Sequence, residues 1–326
     1  MSDKTRIYDE LQNGSISIVV GTHALFQKKV NYYNLGLVIT DEQHRFGVNQ
    51  RKALKNKGNQ VDFLIMSATP IPRTLAISMY GDMDVSTIKT MPSGRKPIIS
   101  RYVKSSSMKP ILAHLKEYLA QGGQVYVICP LIEDNENVNA KSASQIASAM
   151  SDYFKEHYQV GLLHGSLSDE EKDEVYKQFK NNEIQILVST TVVEVGVDVK
   201  NATMIVIFDS YRFGLSALHQ LRGRVGRSDL QSYCILISDR EKERLNILTT
   251  TNDGFKISEE DFLLRGSGDL FGIKQSGDMI FKIADFKKDY KILLKAKEDS
   301  EEFLNNGEYE NSIIHKTLIE EVTNLS

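Results

Sequence analysis

The chain is poor in cysteine, with two in 326 residues, and it has no long apolar run. Crossing a bilayer takes roughly 18 consecutive apolar residues, so no membrane span is expected. The opening Met-Ser-Asp-Lys-Thr-Arg lacks the apolar stretch of a secretory signal. Cys129 and Cys234 each sit in a short strand-like apolar run, which reads as reduced core residues and not as a disulfide or metal pair. Charge of one sign is missing too. With 40 Lys and Arg against 43 Asp and Glu the net charge is −3, so any surface for a polyanion has to be local. No glycine is followed by lysine, so the phosphate-cradling loop Gly-x-x-x-x-Gly-Lys-Ser/Thr is absent.

What is present suits a folded protein. Hydrophobic residues make up 41% and charged residues 25%, too apolar for disorder, and the length suggests about two domains. Short β-branched runs alternate with helix-period segments, the pattern of parallel α/β layers. Strands are expected over 16–20, 37–40 and 63–66, then over 98–103, 125–129, 160–163, 184–189, 204–208 and 233–237. Helices are expected over 109–119, 143–154 and 169–179, the last opened by Ser168 with acids in its first turn. The proline-bearing stretch 90–97 reads as a linker, and beyond about Arg240 the chain turns to helix and loop with a Gly-rich interruption at 265–272.

Four blocks carry chemistry. In an open parallel sheet, ligands bind beyond the carboxyl ends of the strands. The run 37–40 ends in Asp41-Glu42-Gln43-His44. An Asp placed so can hold Mg²⁺ through water, and a neighbouring Glu can orient or deprotonate an attacking water. A solvated pair opening a loop has the same sequence. The run 63–66 ends in Ser67-Ala68-Thr69-Pro70, and the spacing sets these hydroxyls on a strand end beside the acids. Thr190 and Thr191 open a segment through Glu194, Gly196 and Asp198, where hydroxyls and backbone N–H groups suit a phosphodiester backbone or a ribose. His164, at another small-residue strand end, reads first as a structural histidine. The strongest block is Gln220-Leu221-Arg222-Gly223-Arg224-Val225-Gly226-Arg227, in which glycines allow close backbone approach and arginine forks grip phosphate oxygens.

In this order the blocks resemble those of superfamily 2 helicases. Residues 21–25 are similar to motif Ib, 41–48 to the Walker B box, 67–75 to motif III, 189–198 to motif V and 220–227 to motif VI. Residues 259–277 resemble the translocation motif of the branch that acts on branched DNA, a motif shared with transcription-repair coupling factors. The resemblance covers nearly the whole chain and begins after the family's Walker A loop and wedge domain.

The resemblance implies tandem RecA-like parallel-sheet motor domains, the first truncated, followed by a helical translocation region. The expected boundaries are 1–95, 96–240 and 241–326. It implies ATP and Mg²⁺ as cofactors, with Asp41 on the metal, Glu42 activating water, Gln43 and His44 near the nucleotide, and Arg224 and Arg227 on the γ-phosphate. Asp198, Gly196 and Gln220 would line the nucleotide. Thr22, Ser67, Thr69, Thr190, Thr191, Arg265 and Gln275 would face DNA or couple to it. The implied partners are branched double-stranded DNA (forks and Holliday junctions) and single-strand-binding protein, with no membrane, in a bacterial cytoplasm at the nucleoid. The chain by itself is expected to be inactive. A transcription-repair coupling factor and a non-catalytic DNA-binding module are the alternatives.

Overall fold

Six short aliphatic runs pair into one fully parallel sheet, and the helices between them follow from the apolar spacing on either side. The structure is a computed structural model describing residues 3–41, 57–58, 61–67, 85–88, 90, 94–130, 136–190, 199–265 and 289–306. The chain divides into two compact units, Met1–Pro70 and Ile71–Ser326.

The first unit holds α1 (Asp3–Asn13), a short 3₁₀ turn (His23–Phe26), and the parallel strands β1 (Leu37–Thr40) and β2 (Asp62–Ile65). Their register sets Leu37 opposite Asp62 and Thr40 opposite Ile65. The expected strand over 16–20 does not form. A β-branched run becomes a strand only where a neighbour completes its ladder, and among the described residues the sheet of this unit has two strands, β1 and β2. Ile18 and Val20 are instead 84% and 94% exposed.

In the second unit β3 (Ile99–Val103), β4 (Gln124–Cys129), β5 (Val160–Leu163), β6 (Ile186–Thr190), β7 (Ala202–Ile207) and β8 (Tyr233–Ile237) align in the order β3-β8-β7-β4-β6-β5. Every pairing is parallel. The connections carry α2 (Met108–Ala120), α3 (Glu136–Phe154), α4 (Asp169–Lys180) and α5 (Leu215–Arg222). After β8 come α6 (Lys242–Thr250), α7 (Gly254–Arg265) and α8 (Tyr290–Asn305).

Both faces of this sheet are covered, so its central strands are largely apolar, and every residue of β4 and β7 is buried. Strand alternation sends Tyr126 and Ile128 into one core with Phe179, Leu215, Leu218, Leu245, Leu248 and Ile257. Val125, Val127 and Cys129 enter the opposite core with Leu115 of α2 and with Ala143, Ala147, Met150 and Phe154, spaced for one face of α3. Both cysteines are free and buried. Burial pushes each thiol up to about 12, with Asp209 adding to the effect at Cys129 and Arg222 opposing it at Cys234. Ser168 opens α4 with a full capping box, its Oγ accepting from Glu171 N–H while the Glu171 carboxylate accepts from Ser168 N–H. Among the described residues no helix is long and apolar enough to cross a membrane.

Candidate active site

The first unit brings two of the expected positions to one end of its sheet. Asp41 leaves β1 directly after Thr40, and Met66 N–H donates to the Thr40 carbonyl at 2.8 Å. Parallel pairing in this register therefore carries Asp41 and Ser67 to adjacent carboxyl ends, both exposed. Thr22, also exposed, precedes the 3₁₀ turn, and its carbonyl accepts from Leu25 N–H. Glu42, Gln43, His44, Thr69, Thr191, Gly196, Asp198 and Gln275 lie outside the described residues. Arg265 is the last residue of α7.

In the second unit the arginine block divides by role. Arg222, the last residue of α5, is 2% exposed. Its Nη1 donates to the carbonyls of Leu248 and Thr251, both at 2.9 Å, and to Ser100 Oγ at 3.4 Å. Its Nη2 donates to His219 Nδ1 at 2.9 Å. The last carbonyls of a helix have no partner within it, so this guanidinium supplies both hydrogen bonds and a positive charge to the carboxyl end of α6. Arg222 belongs to the scaffold and is not a phosphate ligand.

Because arginine can only donate, His219 Nδ1 must accept, which keeps that ring neutral. Burial, and then the Arg222 charge, depress His219 from 6.5 to about 4, with Asp253 opposing. A depressed folded pKa means the unfolded chain binds the proton first. The stability contributed by neutral His219 is complete above about 6.5 and is lost as pH falls toward about 4. The whole effect is at most about 3 kcal/mol, less after solvent screening. Urea midpoints should therefore fall more steeply between pH 7 and 4.5 for the wild type than for His219→Gln, whose amide oxygen still accepts from Arg222. Parallel curves would contradict the assignment.

Beyond α5 the loop alternates inward and outward. Val225 is 2% exposed and joins the core, whereas Arg224 and Arg227 are half-buried. Gly226 takes φ +78°, and a Cβ there would lie 2.9 Å from Ile98 Cγ1. Both facts predict that Gly226→Ala destabilises by about 1–3 kcal/mol, measurable by chemical denaturation. Gly223 is different, with φ −67° and no heavy atom nearer than 3.4 Å to an added Cβ.

The amino end of α5 is also tied down. Gly214 occupies its cap position without a side chain to offer. The carboxylate of Asp261, on α7 and 3% exposed, accepts instead from Leu215 N–H at 3.1 Å, Ser216 N–H at 3.2 Å and Ser216 Oγ at 2.8 Å. The helix that ends in the arginine loop is thus fastened to α7 at its start and to α6 at its finish. Sequence reasoning placed Asp261 in a motif but missed this contact, since nothing in a linear pattern pairs it with residues 45 positions away.

Thr190, expected to face DNA, ends β6 at 2% exposure, because every residue of that strand is buried in the sheet; Ser189 Oγ donates to its carbonyl. Gln220 is half-buried on α5. Among the described residues no three His, Cys, Asp or Glu converge as a metal site. The exposed Asp41 carboxylate nonetheless fits Mg²⁺, a hard cation that takes one or two carboxylates and completes its shell with water and phosphate oxygens.

Comparison with known proteins adds the family. Residues 2–77 match DEAD/DEAH box helicases, 110–229 the helicase conserved C-terminal domain, and 251–325 the C-terminal part of domain 3 of ATP-dependent DNA helicase RecG. ATP-dependent DNA helicase RecG of Bacillus subtilis is 54% identical over 301 residues, covering 91% of this chain. The chain belongs to the RecG helicase family. RecG of Staphylococcus aureus is 51% identical over 95% of the chain. A solved structure of RecG bound to a three-way DNA junction is 44% identical, covers 90% of this chain and 38% of that one, and superposes with a TM-score of 0.68. Residues 2–77 and 110–229 accordingly belong to RecA-like helicase domains of an α/β protein. The chain spans less than half of these RecG relatives, 44% and 46% of their lengths.

Proposed function

We propose that this chain is the part of an ATP-dependent DNA helicase that carries its water-activating acids, its phosphate-sensing arginines and its translocation tail, and that the whole protein remodels branched DNA in repair and recombination. Residues 1–95, 96–240 and 241–326 would be the working segments. The arginine loop carries this reading. The fold consumes Arg222, anchors Val225 and leaves Arg224 and Arg227 half-exposed on a rigid support. Such pre-aimed guanidinium groups suit the charge that develops on a transferring phosphoryl group.

When bound, ATP with Mg²⁺ would supply the phosphoanhydride whose hydrolysis drives movement. Asp41 would hold the metal, and Glu42 would take the proton of the attacking water. Gln43 and His44 would lie near the nucleotide, Gln220, Gly196 and Asp198 would line its sugar side, and Arg224 and Arg227 would stabilise the γ-phosphate. Thr22, Ser67, Thr69 and Thr191 would meet the DNA, with Arg265 and Gln275 coupling the tail to it, while the buried Thr190 would support the end of β6. Branched DNA is the proposed partner, with single-strand-binding protein a second, in the cytoplasm at the nucleoid.

Without a Gly-Lys phosphate loop in its sequence, the chain alone should not turn over ATP substantially. ATP turnover with and without a branched duplex, beside Glu42→Gln, tests this. No turnover in either condition is expected, and DNA-stimulated turnover abolished by Glu42→Gln would show that the chain hydrolyses ATP without that loop.

A further inference from the structure

Beyond the arginine block, the carboxyl ends of β7 and β8 present a second cationic feature. Tyr211 lies in the short turn after β7, with the guanidinium of Arg212 5.4 Å and that of Arg240 5.3 Å from its ring centre. Arg240 follows β8, so the two arginines come from neighbouring strand ends to share one ring. Both are exposed. Among the described residues no carboxylate lies within ion-pair distance of either guanidinium. Of the nearby acids, Asp239 accepts from Ser105 N–H and Glu241 pairs with Arg244.

The support is rigid. Arg244 forks onto the carbonyls of Tyr211, at 2.7 Å, and Phe213, at 3.0 Å. Ser210 is fully buried with its Oγ donating to the Ile237 carbonyl, and Phe213 is buried in the core. On the other strand Ser238 Oγ donates to the Arg240 carbonyl and accepts from Arg240 N–H, while Tyr102 Oη donates to the Ser238 carbonyl. Two like charges held on one aromatic ring repel each other, and an anion bound by both would relieve that. Arginine forks of this kind match phosphate oxygens.

We propose that Tyr211, Arg212 and Arg240 form a contact site for the phosphate backbone of the nucleic acid, separate from the arginine loop at 220–227. This rests on the DNA-motor reading above. The phosphates could come from a polynucleotide or from a free nucleotide, and the observations favour the polynucleotide. The patch is a pair of exposed cations on one aromatic ring, not an enclosed pocket lined by backbone N–H groups.

The test measures binding of a fluorescent branched duplex to the whole chain by anisotropy, across salt concentrations. The double variant Arg212→Gln/Arg240→Gln is set beside Lys109→Gln/Lys116→Gln, which removes two exposed charges from α2. Each phosphate contact contributes about 0.9 to the slope of log K against log salt, so the arginine variant should lose roughly two in slope and the lysine variant much less. Far-UV circular dichroism verifies that both variants fold. Equal slopes for the two variants, with wild-type binding intact, would overturn the proposal and leave the DNA reading standing. Failure of the folded wild type to bind any duplex would overturn both. Displacement of the duplex by millimolar ATP in the wild type but not in the arginine variant would overturn the polynucleotide assignment in favour of a nucleotide site.

Discussion

Replacing Arg222 with methionine is expected to lower the stability of the second unit by about 3–5 kcal/mol. A buried cation often costs as much to desolvate as its contacts return, and where a whole buried ion pair is exchanged for apolar groups the change can be neutral. Here the partners remain. Removal of the guanidinium strands two carbonyls at the carboxyl end of α6 and the Nδ1 of His219. Each unsatisfied buried acceptor costs about 1–3 kcal/mol, so desertion of the partners outweighs relief of the burial cost. Arg222→Lys keeps the charge, yet a compact ammonium cannot span acceptors held by both Nη atoms, and it should recover less than half the loss. Urea unfolding followed by circular dichroism measures both variants. A loss under about 1 kcal/mol for the methionine variant would mean that Arg222 is a passenger in the core.

Asp261→Ala should rank next, at about 2–4 kcal/mol, because it removes one acceptor from three donors at the start of α5. Its local signature is more informative than its size. Amide exchange should accelerate at Leu215 and Ser216 and along the turn into the arginine loop, while peptides of α2 on the opposite face keep their protection. Asp261→Asn, with one acceptor oxygen in place of two, should fall between. Uniform acceleration through the whole unit would show that α7 merely packs on α5 and does not hold its end. Since residues 254–265 lead into the proposed translocation tail, the same contact would tie the start of that segment to the helix bearing the arginine loop.

Much of this arrangement was legible in the sequence. Where an apolar β-branched run is bounded by turn formers, as at 37–40 and 233–237, strand formation follows from local chemistry and the structure agrees. The run at 16–20 has the same composition and forms no strand, since a ladder is a property of two segments and composition reports on one. Helix α3 begins at Glu136, seven residues before the expected 143, because its first two turns are mostly polar and carry little apolar periodicity.

At the site, spacing correctly set Asp41 and Ser67 on adjacent strand ends. It did not separate Arg222 from Arg224 and Arg227. One signal could have done so: Leu215, Leu218 and Arg222 stand at i, i+3 and i+7, so Arg222 continues the buried stripe of its helix. Tyr211, Arg212 and Arg240 carried no such mark. They are brought together by the pairing of β7 with β8, a long-range fact.

The burial of both thiols has a practical consequence for following this protein at work. Cys129 and Cys234 are 0% and 1% exposed and held at about 12, so they offer almost no thiolate to maleimide or iodoacetamide near neutral pH. The native chain is therefore close to silent toward thiol labelling. Cysteines introduced beside Arg240 and near Thr22 would accept a fluorophore pair without removal of either natural cysteine of this chain, so that the distance between the two positions could be followed.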